Sequence, residues 1–106
     1  MTTTTARIFS GNISIPKELK VLKDNDPASY HMFRILTPDK GDERVVWNPM
    51  NIAEISAASE LFQSLLKKGM RAFAPGRLGQ KDKEVEEFDP LMGEVIFCPV
   101  DAIVGG

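Results

Sequence analysis

One cysteine, one histidine, one tryptophan and one tyrosine are all that the chain carries of four residue types that commonly do chemistry, and it has no excess of positive charge. The lone Cys98 has no partner for an intrachain disulfide. Within the apolar run Val95-Ile96-Phe97-Cys98 it reads as a small buried hydrophobe, in keeping with a reducing compartment. Thirteen Lys and Arg stand against fifteen Asp and Glu, giving a net charge of -2 and a pI near 5.4. Lys17, Lys20 and Lys23 are diluted by Glu18 and Asp24, so the basic stripe that neutralises phosphates is missing and a nucleic-acid partner is not expected. No apolar run exceeds the four residues around Cys98, against the roughly 18 needed to span a bilayer, which argues against a membrane helix. Met1 to Arg7 lacks the basic and apolar regions of a signal peptide, so export by that route is not expected.

What is present is an ordinary globular composition. Of 106 residues, 42% are hydrophobic and 26% charged, which places the chain among folding domains rather than disordered or fibrous ones. The length allows one domain, expected over residues 7–100, with an extended arm at 1–6 and a tail at 101–106. A domain this small has little room for an internal cavity, so a ligand site would be shallow or shared between subunits.

Period-2 alternation marks Phe9, Ile13 and Ile15 as a strand ending at Pro16, with Gly11 as a candidate bulge. Residues 17–23 fit either a strand or one helical turn, before the turn Asp24-Asn25-Asp26-Pro27. Two strand-like runs, Ser29 to Leu36 and Glu43 to Trp47, flank a turn-rich loop and suggest a hairpin. The strongest element is a helix opened by Asn51-Ile52-Ala53-Glu54, or capped by Asn48 ahead of Pro49, and closed by Gly69. Ile52, Ile55, Ala58, Leu61, Phe62, Leu65 and Leu66 form its expected buried face. Ala53, Ser56, Ala57 and Ser64 form a stripe of small residues on the outer side. Met70 to Ala74, Lys83 to Phe88 and Glu94 to Val100 then read as three short strands. Strands, one helix and more strands predict an α+β domain, one amphipathic helix packed on a mostly antiparallel sheet; a β-grasp and a small oligomer-binding barrel both fit the order.

The candidate chemistry is sparse, and no catalytic residue, cofactor or metal site is expected. His31 lies in an alternating strand with no nucleophile and base placed around it in sequence. Gly76-Arg77-Leu78-Gly79 departs from the phosphate-binding loop pattern and sits between strands, so it reads as a hairpin turn with Arg77 as an exposed contact. Asp24, Asn25 and Asp26, and likewise Asp39, Asp42 and Glu43, lack the spacing of a calcium loop. Glu84, Glu86 and Glu87 suit the guarded solvent face of an edge strand. Trp47, at the junction of hairpin and helix, suits a core anchor or an interface hot spot. Trp47, Arg77, Gly105 and Gly106 are therefore the candidate protein-interaction residues.

Gly105-Gly106 has no use in core packing, and with the coarse element order it resembles the ubiquitin-like β-grasp proteins. That resemblance implies a modifier or sulfur carrier acting through Gly106. A second resemblance rests on Val45-Val46-Trp47 with Pro49, the helix closed by Gly69, Phe88-Asp89-Pro90, Gly93-Glu94-Val95-Ile96, Pro99 and the glycine end. Over residues 44–106 this looks like small uncharacterised proteins of tailed bacteriophages. It implies a non-enzymatic virion-associated or accessory protein, located in the host cytoplasm or the virion, that self-associates or binds a protein partner. A small-ligand sequestering protein is the remaining expectation.

Overall fold

The computed structural model describes residues 13–37, 41–76 and 82–99. Their elements run β1 (Lys20–Leu22), β2 (Met32–Thr37), β3 (Gly41–Val46), α1 (Ile52–Lys67), β4 (Met70–Ala74), β5 (Lys83–Val85) and β6 (Val95–Pro99). In β2 and β6 alternate residues are buried, so Phe33, Ile35, Val95 and Phe97 share one face of the sheet with Val45 and Ala72. The register brings Phe33 opposite both Val45 and Val95, and Phe97 opposite both Ile35 and Ala72. α1 closes this face with Ala57, Ala58, Leu61, Phe62 and Leu65.

The helix starts where polar side chains replace the missing backbone partners. Asn51 is the N-cap, its Oδ1 accepting from the Glu54 amide at 3.1 Å, while Glu54 Oε1 accepts from the Asn48 amide at 2.9 Å. Both asparagines singled out in the sequence are thus used, Asn51 as the cap and Asn48 in the turn before it. At the other end Gly69 has φ +99, a left-handed conformation that turns the chain back into β4.

The buried arc of the helix differs from the one expected. Ile52 is 83% exposed and Ala57 only 5%. At about 100° per residue, Ile52 falls some 130° from the middle of the arc that Ala58, Leu61, Phe62 and Leu65 define, so a half-wheel drawn to include it is too wide. Ala57 comes round to the margin of that arc and is not part of an outer stripe.

The strand order is β1-β3-β2-β6-β4-β5, and of the five pairings only β2 with β6 is parallel. The fold is α+β, one helix on a mostly antiparallel sheet. Without β1, the order is that of a β-grasp: two hairpins joined by the last strand, which runs parallel to the first. Among the described residues the sheet has edges at β1 and β5 and is open, so its strand order is not that of the barrel alternative.

Several segments differ from their expected extent; β2 begins at Met32 and not at Ser29. Ile13 and Ile15 pack partly buried against the core with Ser14 exposed between them, yet residues 13–16 pair with no strand. For Ile13 and Ile15 the alternation reports contact with the core and not strand pairing. Residues 17–23 resolve into a turn, with the Leu19 amide bonded to the Pro16 carbonyl at 3.1 Å, followed by β1. β5 ends at Val85, because Phe88 leaves the sheet to enter the core. The arm 1–6, the tail 101–106 and residues 7–12 of the first expected strand lie outside the described residues.

Removing the cap tests the account of the helix start. Asn51→Ala should lower the unfolding free energy by about 1 kcal/mol in chemical denaturation, with an unchanged folded-state spectrum. No measurable loss would show that the Asn48–Glu54 bond alone suffices.

Candidate functional site

The end of the sheet where β2 and β6 begin and β3 finishes also receives the N-terminus of α1, so four segments meet there. Trp47 holds them together. It is 3% exposed, and its indole N–H donates to the Pro90 carbonyl at 2.9 Å. Its ring lies 4.7 Å from Phe33 and 5.2 Å from Phe88, with Phe88 also 6.0 Å from Phe62. The segment crossing from β5 back to β6 therefore plugs the core with Phe88 and is pinned by Pro90. His31 adds a second pin, its Nδ1–H donating to the Met92 carbonyl at 2.7 Å. This places the only histidine in a structural bond, edge-on to Tyr30 at 4.8 Å.

Around this mount, large apolar side chains point outward. Tyr30 is 64% exposed, Met50 86%, Ile52 83% and Leu91 70%. Met50 and Leu91 stand on turns of the same build. In Asn48-Pro49-Met50-Asn51 the Met50 amide donates to Asn48 Oδ1 at 2.9 Å and the Asn51 amide to the Asn48 carbonyl at 3.0 Å. In Asp89-Pro90-Leu91-Met92 the Leu91 amide donates to Asp89 Oδ1 at 2.9 Å and the Met92 amide to the Asp89 carbonyl at 2.9 Å. Each is an Asx turn with proline in second place and a large apolar residue in third. Tyr30 is seated against Gly93, where an added Cβ would lie 3.1 Å from the ring.

The expected interaction residues fare differently. Trp47 is a core anchor whose surface is spent inside the chain. Arg77, Gly105 and Gly106 lie outside the described residues. Of the Gly76-Arg77-Leu78-Gly79 stretch, only Gly76 is described, its amide bonded to Asp82 Oδ1 at 2.9 Å. Tyr30, Met50 and Leu91 were not singled out from the sequence as contacts, and Ile52 was expected on the buried face of the helix. A signal existed in the repeated Asx-Pro-apolar pattern, since burial has no use for a Met or Leu at the third position of an exposed turn.

Elsewhere the polar groups are engaged locally. Asp26 Oδ2 accepts from the Lys23 amide at 2.9 Å. Glu84 and Arg71 make a two-pronged pair at 2.8 and 2.9 Å on the sheet face away from the helix. The hydrogen bonds from Arg71 hold the Glu84 carboxyl below the usual carboxylate range, and the same pair raises the guanidinium. Arg34 Nε sits 3.4 Å from Glu94 Oε2 and 3.5 Å from Asp42 Oδ2. Burial pushes the Cys98 thiol up, away from a reactive thiolate. Among the described residues no group of three or more His, Cys, Asp or Glu is placed to hold a metal, and no helix is long and apolar enough to cross a membrane. An open cleft of about 360 Å³ lies between Tyr30, Gly93, Glu94 and the Ala74-Pro75-Gly76 corner.

Compared with known proteins, the chain has no significant match to a family model, a curated protein or a solved structure.

The role given to Trp47 predicts a local effect as well as a global one. Trp47→Phe leaves the Pro90 carbonyl without its donor and should cost about 1–3 kcal/mol of stability. Amide exchange should accelerate at Leu91 and Met92 before it does at Val45. Equal acceleration at all three would mean that the plug is not separately held.

Proposed function

We propose that the chain is a non-enzymatic protein-interaction or assembly component, of the kind that virion-associated and accessory proteins of tailed bacteriophages provide, working in the host cytoplasm or the virion. The observation that supports this reading is that Tyr30, Met50, Ile52 and Leu91, all well over half exposed, stand on the segments that meet at the end of the sheet where β2 and β6 begin. Large apolar side chains gathered on one surface are what protein-protein contacts use, whereas scattered ones need no explanation. Their mounting adds to it. Met50 and Leu91 stand on capped turns, Ile52 at the helix start and Tyr30 edge-on to the pinned His31, so the backbone beneath them is already held before a partner binds. A protein partner also suits the slightly negative net charge better than nucleic acid does.

The strand order supports a second reading, a ubiquitin-like modifier or sulfur carrier acting through Gly105-Gly106. Intact mass spectrometry separates the two: a conjugate or thiocarboxylate lost in Gly106→Ala would establish the modifier, and unmodified chain throughout would end it.

The interaction reading is tested by placing a photo-crosslinking residue at Met50, and at the exposed helix position Gln63 as a control, in the cell that makes the protein. A discrete adduct from position 50 and none from 63 is expected. Absence of any adduct from position 50 would overturn the reading.

A further inference from the structure

We propose that the cleft beside Tyr30 and Glu94 is a site for a guanidinium group, that of an arginine side chain on the protein partner; only this source rests on the interaction reading above. The cleft, of about 360 Å³, lies where the segments leading into β2 and β6 pass the corner Ala74-Pro75-Gly76 at the end of β4. That is room for one side chain or a small head group, at the lower end of the ~300–1,000 Å³ of ligand pockets. One wall is aromatic. The Tyr30 ring is 64% exposed yet held on two sides, edge-on to His31 at 4.8 Å and so near Gly93 that a Cβ there would come within 3.1 Å of it. Glycine at 93 leaves room for the ring at the rim of the cleft, where its π face can attract a cation.

The other wall is a carboxylate whose hydrogen bonds are unmade. The Glu94 side chain is 31% exposed, and among the described residues its ion-pair partner is Arg34, whose Nε stands 3.4 Å from Oε2 without forming a hydrogen bond. Arg34 is shared with Asp42 at 3.5 Å, so the three groups together carry one negative charge. The corner adds none. There Asp82 Oδ1 accepts from the Gly76 amide, and Lys83, opposite Ala74 in the ladder, offsets Asp82. The cleft therefore favours a cation over an anion. Among cations a guanidinium suits it best, because its planar fork can donate to both Glu94 oxygens while its face lies on an aromatic ring, whereas an ammonium is a compact point charge.

The experiment is a titration of the isotope-labelled full chain with N-acetyl-arginine methylamide, up to about 100 mM, followed by amide shifts. The isosteric, uncharged citrulline compound is the control. Saturable shifts confined to Tyr30, Gly76, Gly93 and Glu94 are expected with the arginine compound and none with the control. Glu94→Gln should weaken binding at least about fivefold, since a charge-assisted pair becomes a neutral one, and Tyr30→Leu about threefold. Unchanged amide shifts in the remainder of the chain verify that both variants are folded. No saturable shift, equal shifts with the citrulline compound, or binding indifferent to Glu94→Gln overturns the site. The crosslink from position 50 keeps the two claims apart. An adduct beside a failed titration leaves the interaction reading and removes the guanidinium site, while a saturable titration with no adduct keeps the site and removes the protein as its source. Where both succeed, the adduct should diminish in Glu94→Gln; an undiminished adduct overturns the partner's arginine and assigns the site to a free guanidinium compound.

Discussion

β6 lies between β2 and β4, so the two hairpins of this sheet touch each other only through the last strand. Until Val95–Pro99 is in place, the β2–β3 and β4–β5 hairpins have no shared backbone bonds, and Phe33, Ile35 and Ala72 lack the side chains of Val95 and Phe97 that complete their face. The pairing is costly to reach. Phe33 and Val95 are partners across most of the chain, and the loop entropy of such a contact must be met before its reward arrives. The chain must also travel from the β5 edge back to the centre of the sheet. That crossing is why Trp47 matters: its bond to Pro90 and its packing on Phe88 hold the crossing segment against the core at the point where β6 begins.

The same constraint creates the surface. A segment that crosses one end of a sheet must turn there, and its turn, Asp89 to Met92, comes beside the turn that leads β3 into the helix, Asn48 to Asn51. Both turns are closed by their own Asx side chains, and both present a large apolar residue outward. The architecture that completes the core thus gathers Met50 and Leu91 at one end, with Ile52 on the first helical position and Tyr30 leading into β2. The opposite face of the sheet is different. There, Arg34 lies near Asp42 and Glu94, and Arg71 is bonded to Glu84, so charged pairs stand among the apolar residues.

Much of the fold was legible because it rests on local chemistry. The helix boundaries follow from Asn51, Glu54 and Gly69, and the hairpin from alternation on both sides of a turn-rich loop. What was not legible depends on long-range pairing. Open sheet and barrel share one element order, and only the register of β6 against β2 and β4 separates them. Phe88 looked like the end of a strand because an apolar residue after Val85 fits period 2, whereas its place is set by an aromatic pocket built from Phe33, Trp47 and Phe62. Trp47 was readable as either anchor or hot spot, since an indole serves both. The carbonyl that decides it lies 43 residues away.

The exposed residues raise a further question, which is why the free chain tolerates them. Side chains such as Met50 and Ile52 contribute nothing to the core, so the backbone beneath them must be held by other means. Here that work is polar. Asn48, Asn51, Glu54 and Asp89 each bond a nearby amide, which satisfies the turn and the helix start without drawing on apolar burial. Stability and surface are thereby uncoupled: the apolar residues can be changed, or covered by a partner, without altering what keeps the chain folded. A surface under structural selection alone would have no reason to keep large apolar residues at four such positions, because the polar caps hold equally well beneath a serine or a lysine. Their presence is the part of this molecule that the fold does not explain.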